Sequence, residues 1–303
     1  MNRKLIYIIS FICMNFIACD NLPDEQFEKY VLITHNGFVD KELIYNSSKE
    51  LNTEVSVSIS GTSVLKQDVN VSIDTDAEAL QKYNFEKYRN DEALYYNILP
   101  DGAYSFEKNI TVKAGKEYST VPIKLDLTSI DMFKNYVLPI SIKTTSDYNL
   151  SPGGYHTTLL NLIFKNSFSG NYSINGTLKG TSESLSLSIR RILKVIDSNT
   201  CFAYMGNIDE EDLDRDKYIF TIKINEDKTL TLTGMNPETK FTPVESDWGE
   251  EKKNVMEITE TEIRLYLTYS YIDSQDSVKP VKKTFTGYLS LASSEKEDSE
   301  TTE

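Results

Sequence analysis

What constrains this chain most is a period of two. Between Glu54 and Ser60, Val55, Val57 and Ile59 fall on one side and Ser56 and Ser58 on the other; Val69, Val71 and Ile73 repeat the pattern, as do Val121, Ile123 and Leu125. Successive residues of a strand point to opposite faces, so this alternation describes strands buried on one face. The second half carries the same signature. Leu185, Leu187 and Ile189 alternate; Phe220, Ile222 and Ile224 lead into Asn225-Glu226-Asp227-Lys228 and a return strand with Leu230 and Leu232; Ile263, Leu265, Leu267, Tyr269 and Tyr271 share a face opposite Arg264, Tyr266 and Thr268. Asp76 is placed to cap one short helix through Ala77, Leu80 and Gln81. The expected fold is all-β. About seven short strands over 28–165 suit an immunoglobulin-like β-sandwich, and a second antiparallel β-sandwich or barrel is expected over 166–292.

The N-terminus gives an address. Arg3 and Lys4 precede an apolar run from Leu5 to Ala18, broken only by Ser10 and Asn15. Such a run is shorter than the roughly 20 residues that span a bilayer, and reads as a cleaved secretion signal over 1–18. The cut falls before Cys19, a pattern that resembles the bacterial lipobox, with Phe16 where leucine is usual; the alternative is an ordinary signal with a chance cysteine. Lipidation at Cys19 is expected to hold the protein to the membrane through acyl chains alone. Asp24 and Glu25, in the tether 19–27, resemble the acidic export signal of Bacteroidetes lipoproteins, although a plain polar tether reads the same. The expected location is the outer membrane, lipid-anchored and facing the exterior.

A chain of 303 residues has room for two domains with real cores. Its net charge of −14, with basic residues scattered, disfavours a nucleic-acid partner, which needs clustered Lys and Arg. Cys13 leaves with the signal and Cys19 takes the lipid, so Cys201 stands alone, no internal disulfide forms, and Cys201 is expected as a small buried apolar side chain. The acidic tail 293–303 is expected to be disordered.

Three segments carry a resemblance: the tyrosine-rich stretch ending Leu99-Pro100 with Tyr104 after it, the Ile110 to Gly115 strand and turn, and Tyr136-Val137-Leu138-Pro139. Together they resemble the N-terminal domain of unknown function carried by Bacteroidetes surface lipoproteins of polysaccharide-utilisation loci, over roughly 28–165. The resemblance implies a β-rich spacer or platform, followed in relatives by an endoglycosidase barrel or a second all-β module. Its tyrosines are expected to shape strands and corners. The strand Leu265 to Tyr271 is similar, less specifically, to the C-terminal β-domain that accompanies it.

Chemistry-bearing clusters are few. Asp209 to Asp216 nearly matches the catalytic strand of chitinase-like glycosidases, but Asp216 stands where a glutamate is needed to reach the glycosidic oxygen, and the remaining length cannot form an (β/α)₈ barrel. As a calcium loop it lacks the turn glycine, where Lys217 sits, and the bidentate glutamate, where Lys223 sits; a solvated acidic loop is the plainer reading. His35 and His156 are the only histidines and are expected at strand or surface positions. No metal ligand set or cofactor motif is read. Asp276-Ser277-Val278 resembles a short O-glycosylation motif. Nineteen tyrosines and one tryptophan suit a sugar-binding face, since pyranose rings stack on flat amphipathic side chains. Trp248 and Tyr266 are the expected stacking residues, and Asp247 and Glu250 the expected hydroxyl partners. The expected function is capture of a polysaccharide or oligosaccharide without cleavage, beside outer-membrane glycan-transport components. The alternatives are a glycoside hydrolase with a carboxylate pair in the second domain, or an adhesive surface protein.

Overall fold

The computed structural model describes residues 27–245, 254–275 and 279–292. Cys19, Asp247, Trp248, Glu250, the Asp276-Ser277-Val278 motif and the acidic tail lie outside the described residues. No described helix is long and apolar enough to cross a membrane.

The first domain is a sandwich of two sheets. Its strands are β1 (Tyr30–Ile33), β2 (Gly37–Ile44), β3 (Glu50–Ile59), β4 (Val69–Thr75), β5 (Asn97–Ile98), β6 (Tyr104–Phe106), β7 (Asn109–Val112), β8 (Tyr118–Asp126), β9 (Tyr136–Thr145), β10 (Asn149–Leu150) and β11 (Thr157–Lys165). One sheet is ordered β10-β1-β3-β8-β6; the other is β2-β11-β9-β4-β7, with β5 beside β9. Alternation does what period two predicts: Val55 pairs in register with Val121, and the inward valines and isoleucines of β3, β4, β8 and β9 meet in one core. The sandwich exceeds seven strands, and three of its pairings are parallel, β1–β10, β2–β11 and β5–β9. Strand β2 lacks an alternating pattern because it is an edge strand, where Asp40, Lys41 and Glu42 blunt the open row of backbone groups.

Helix α1 (Ala77–Tyr88) is longer than the sequence suggested. Asp76 caps it, accepting the Ala79 N–H at 3.3 Å, while the Ser141 hydroxyl donates to the other carboxylate oxygen at 2.7 Å. Leu80 and Asn84 are its buried residues, and Leu80 packs on Val137 and Leu159 of the β2-containing sheet. Two buried positions in twelve make a faint apolar stripe, so periodicity understates the helix.

The second domain is a nearly closed antiparallel barrel. Its strands are β12 (Gly170–Lys179), β13 (Ser184–Val195), β14 (Thr200–Tyr204), β15 (Ile219–Ile224), β16 (Leu230–Gly234), β17 (Thr242–Pro243), β18 (Val255–Ile258), β19 (Glu262–Asp273) and β20 (Val281–Ala292). Sequence neighbours pair from β12 to β16; β17 and β18 both pair with β19, and β20 returns to pair with β12. The remaining gap is bridged by Thr229 and Val255, flanked by hydrogen bonds from Leu230 N to Asn254 O and from Met256 N to Lys228 O. A barrel of about eight strands has an interior just wide enough for side chains, and Tyr172, Phe220, Tyr269, Tyr271 and Phe285 occupy it. Gly176 faces Gly287 across the β12–β20 pair. A Cβ on Gly176 would stand 2.7 Å from the Thr286 carbonyl oxygen and 2.9 Å from the Phe285 ring, so glycine lets that ring lie against the sheet.

Segment 205–218 closes one end of the barrel. Met205 and Ile208 are fully buried. Arg191 reaches through the interior to donate to the carbonyls of Gly206 and Ile208, and the Gly206 N–H donates to the Tyr269 hydroxyl at 2.9 Å. The acidic stretch read as a solvated loop is therefore tied down at both ends, by Ile208 and by Arg215, which is 7% exposed. Cys201 is buried in β14, and that burial pushes its thiol up to about 12.

Candidate functional site: an aromatic cleft between the domains

The two domains dock through a short linker and a ring contact. Asn166 donates from its side chain to Asp197 O at 2.7 Å, and Phe133 meets Phe202 at 5.2 Å between centroids. Phe202 and Tyr204 share the outward face of their strand with Lys194, which is opposite Phe202 in register; Phe133 of the first domain covers Phe202, while Lys194 and Arg215 of the barrel lie against Tyr204. Arg215 adds a polar tie, donating from Nη2 to Ala93 O at 2.8 Å.

Beside this contact lies a cleft of about 360 Å³, within the range of small-ligand sites, which favour domain interfaces. One wall comes from the first domain: Lys87 and Tyr88 of α1, Leu94, Tyr96, Met132, Lys134, Asn135, and Asn161 to Phe164 of β11. The other comes from the barrel: Ile192, Lys194 and Val195 of β13, with Glu210, Glu211 and Arg215.

The aromatic wall is positioned by the helix. Asn84, 4% exposed, donates from Nδ2 to Tyr96 O at 2.9 Å and accepts the Tyr96 N–H at Oδ1 at 3.1 Å. Its amide thereby supplies both backbone bonds that a ladder would otherwise give Tyr96. Tyr96 packs 6.1 Å from Tyr88 and 5.0 Å from Phe38, which stacks on Tyr83 at 4.5 Å. The Lys87 ammonium lies 4.9 to 5.7 Å from the centroids of these four rings and 3.4 Å from the Tyr96 hydroxyl. Burial, then the hydroxyl of Tyr88, push the Tyr96 phenol up to about 12, so it is a neutral hydrogen-bonding group at any physiological pH. Burial alone would lower the Lys87 ammonium; the Tyr88 and Tyr96 phenols outweigh it and raise its pKa, keeping the charge.

The barrel wall holds two buried polar atoms without a hydrogen-bond partner, Glu210 Oε1 and Arg215 Nε. The other Glu210 oxygen accepts from Lys194 at 2.6 Å. Both unpartnered atoms lie beneath the cleft surface, sealed from solvent; the hydrogen-bonding groups around the cleft are those of Lys134, Asn135, Asn161 and Glu211.

Of the residues singled out in the sequence, Tyr266 is described and lies elsewhere. It faces outward on β19, donates to Glu257 Oε2 at 2.9 Å, and has the Tyr288 ring 5.9 Å away. The Arg264 guanidinium sits 5.4 Å over that Tyr288 ring. This pair is on the convex outside of the barrel. Tyr269 and Tyr271 are buried, at 3% and 1% exposure. Sequence reasoning missed Tyr288, which shares its polar face with Thr286 and Ser290, and missed the cleft altogether, because Tyr96 read as a strand-shaping tyrosine and Tyr88 was not singled out. Among the described residues no group of three His, Cys, Asp or Glu is placed to hold a metal.

The comparisons agree with this architecture. Residues 22–146 match the family model described as a domain of unknown function, DUF4973. Residues 156–290 match a model described as "-like, C-terminal". A search of curated proteins returns no significant match. Among solved structures, a Bacteroides ovatus protein of unknown function has a TM-score of 0.76 at 22% identity, covering 87% of this chain and 94% of its own. A multidomain Bacteroides ovatus protein including DUF1735 has a TM-score of 0.75 at 22% identity, with the same coverage. A protein described as an auxiliary nutrient binding protein, from Bacteroides thetaiotaomicron, has a TM-score of 0.68 at 23% identity, covering 85% of this chain and 91% of its own. At these identities the likeness is one of fold. The chain is a two-domain all-β protein whose first half is similar to a domain of unknown function and whose second half is similar to a C-terminal family model, in a fold shared with these Bacteroides proteins.

Proposed function

We propose that this protein captures a saccharide at the cell surface without cleaving it, and that the interdomain cleft is where the sugar sits. The observation that carries the reading is the cleft's composition: Tyr88 and Tyr96 on one wall, with the polar side chains of Lys134, Asn135, Asn161 and Glu211 around them. A protein-adhesive surface would instead present a flat apolar patch. The fold likeness to a protein described as nutrient binding supports the same direction. The leader and Cys19 support a lipid-anchored, outward-facing position at the outer membrane, and transport components there as partners. A hydrolase needs two carboxyls across a scissile bond; the cleft's Glu210 and Glu211 are adjacent in sequence, and Glu210 is committed to Lys194.

The test is affinity electrophoresis of the full chain in detergent against plant, host and microbial polysaccharides, beside Tyr96→Ala. Retardation by one glycan class, weakened about tenfold in the variant as one aromatic stack is lost and unaccompanied by released sugar, is the expected result. Tyr266→Ala should leave it unchanged. Retardation that survives Tyr96→Ala but not Tyr266→Ala would move the site to the barrel exterior, and released oligosaccharide would overturn the non-cleaving reading.

A further inference from the structure

Resting on the saccharide reading of the cleft, we infer that its ligand carries an anionic group, a carboxylate or a sulfate ester, met by Lys87 and Lys134 at the exposed rim. The whole chain has a net charge of −14, yet the cleft is lined by four cations, Lys87, Lys134, Lys194 and Arg215, against Glu210 and Glu211. Local charge runs opposite to global charge.

The pairing of these groups sharpens the imbalance. Lys194 and Glu210 neutralise each other at 2.6 Å. Lys134 is 4.0 Å from Asp131, with both side chains about half exposed, a pair that solvent screens almost completely. Lys87 contacts phenols and rings, whose quadrupoles attract a cation without cancelling its charge. Arg215 adds positive charge behind this rim: its Nη atoms donate to the neutral carbonyls of Asp212 and Ala93, it also reaches the Tyr204 hydroxyl, and its counterion Asp216 stands 4.0 Å from Nε on a side chain 75% exposed, where solvent screens it.

Asp209, Asp212 and Asp214 stand beside this wall in the chain, so the favourable field is confined to the cleft.

The experiment pairs each acidic polymer with its neutralised twin: polygalacturonate and hyaluronan with their carboxyl-reduced forms, keratan sulfate with its desulfated form. Binding of the full chain in detergent is measured beside Lys87→Gln, Lys134→Gln and Tyr96→Ala. The two lysine changes are on exposed side chains outside both cores, so folding is retained. The expected result is at least one acidic polymer bound about tenfold tighter than its twin, the worth of one charge-assisted hydrogen bond, with that preference reduced in Lys87→Gln or Lys134→Gln. A carboxylate source and a sulfate source are told apart by which twin pair shows it. Neutral forms that bind as well as acidic ones, with binding lost in Tyr96→Ala, would overturn the anionic preference and leave the saccharide site standing. No binding by any polymer, acidic or neutral, would overturn both.

Discussion

At the scale of single residues, the candidate site depends on side chains that look unremarkable in the sequence. Asn84 lies mid-helix, where a short amide is a poor helix former. Its burial is explained only by the two hydrogen bonds it gives to the Tyr96 backbone. Replacing it by alanine leaves a buried N–H and a buried C=O unpaired. Asn84→Ala should therefore destabilise the first domain by about 2 kcal/mol, read from denaturant unfolding, and weaken saccharide binding, because Tyr96 loses its anchor. Cys201, by contrast, was legible: a single cysteine among apolar neighbours is found buried in the barrel. Tyr88 and Tyr96 were not, since nothing in a run of tyrosines says which ring ends in a cleft and which beneath a sheet.

At the scale of elements, alternation located strands well where one face was buried and failed where neither period nor polarity was clean. Strand β2 and helix α1 are two such cases, and β12, β14 and β18 went unread as well. Helix α1 also carries a pH dependence. Burial by itself would raise the Asp76 carboxyl, but Ser141, Lys143 and the Ala79 N–H outweigh it, so the folded-state pKa lies below the ordinary carboxylate value. The cap's contribution is thus complete above the unfolded pKa of about 4 and is lost as pH falls through the lower folded value. Protection factors over residues 77–88, referred to the intrinsic exchange rate at each pH, should fall on acidification in that window. Asp76→Asn, which keeps an acceptor without the charge, should remove this acid-induced loss of protection.

At the scale of the whole molecule, two separate cores meet through few contacts, and the cleft exists only where they meet. Phe133 is the first domain's ring in that contact. Phe133→Ala should cost about 2 kcal/mol, less than a fully buried phenylalanine because the ring is half-exposed, and should split one calorimetric transition into two. Saccharide affinity should fall with it, since the barrel wall is no longer held against the tyrosine wall. An unchanged single transition would mean that Arg215 and the linker carry the docking.

The sequence by itself determined which faces are buried, that nearly every element is a strand, and that there are two cores, because side-chain period and chain length are local quantities. It also placed Tyr266 on a polar face. What only the tertiary structure decided is partnership. β12 pairs with β20, so that Gly176 meets Gly287 across more than a hundred residues of chain, and Tyr266 lies opposite Tyr288 only through the register of β19 on β20. A period of two says which way a side chain points and carries no information about which strand lies alongside. The cleft is the extreme case. Its tyrosines and its arginine belong to different domains, each locally consistent alone, and docking is what turns them toward one space.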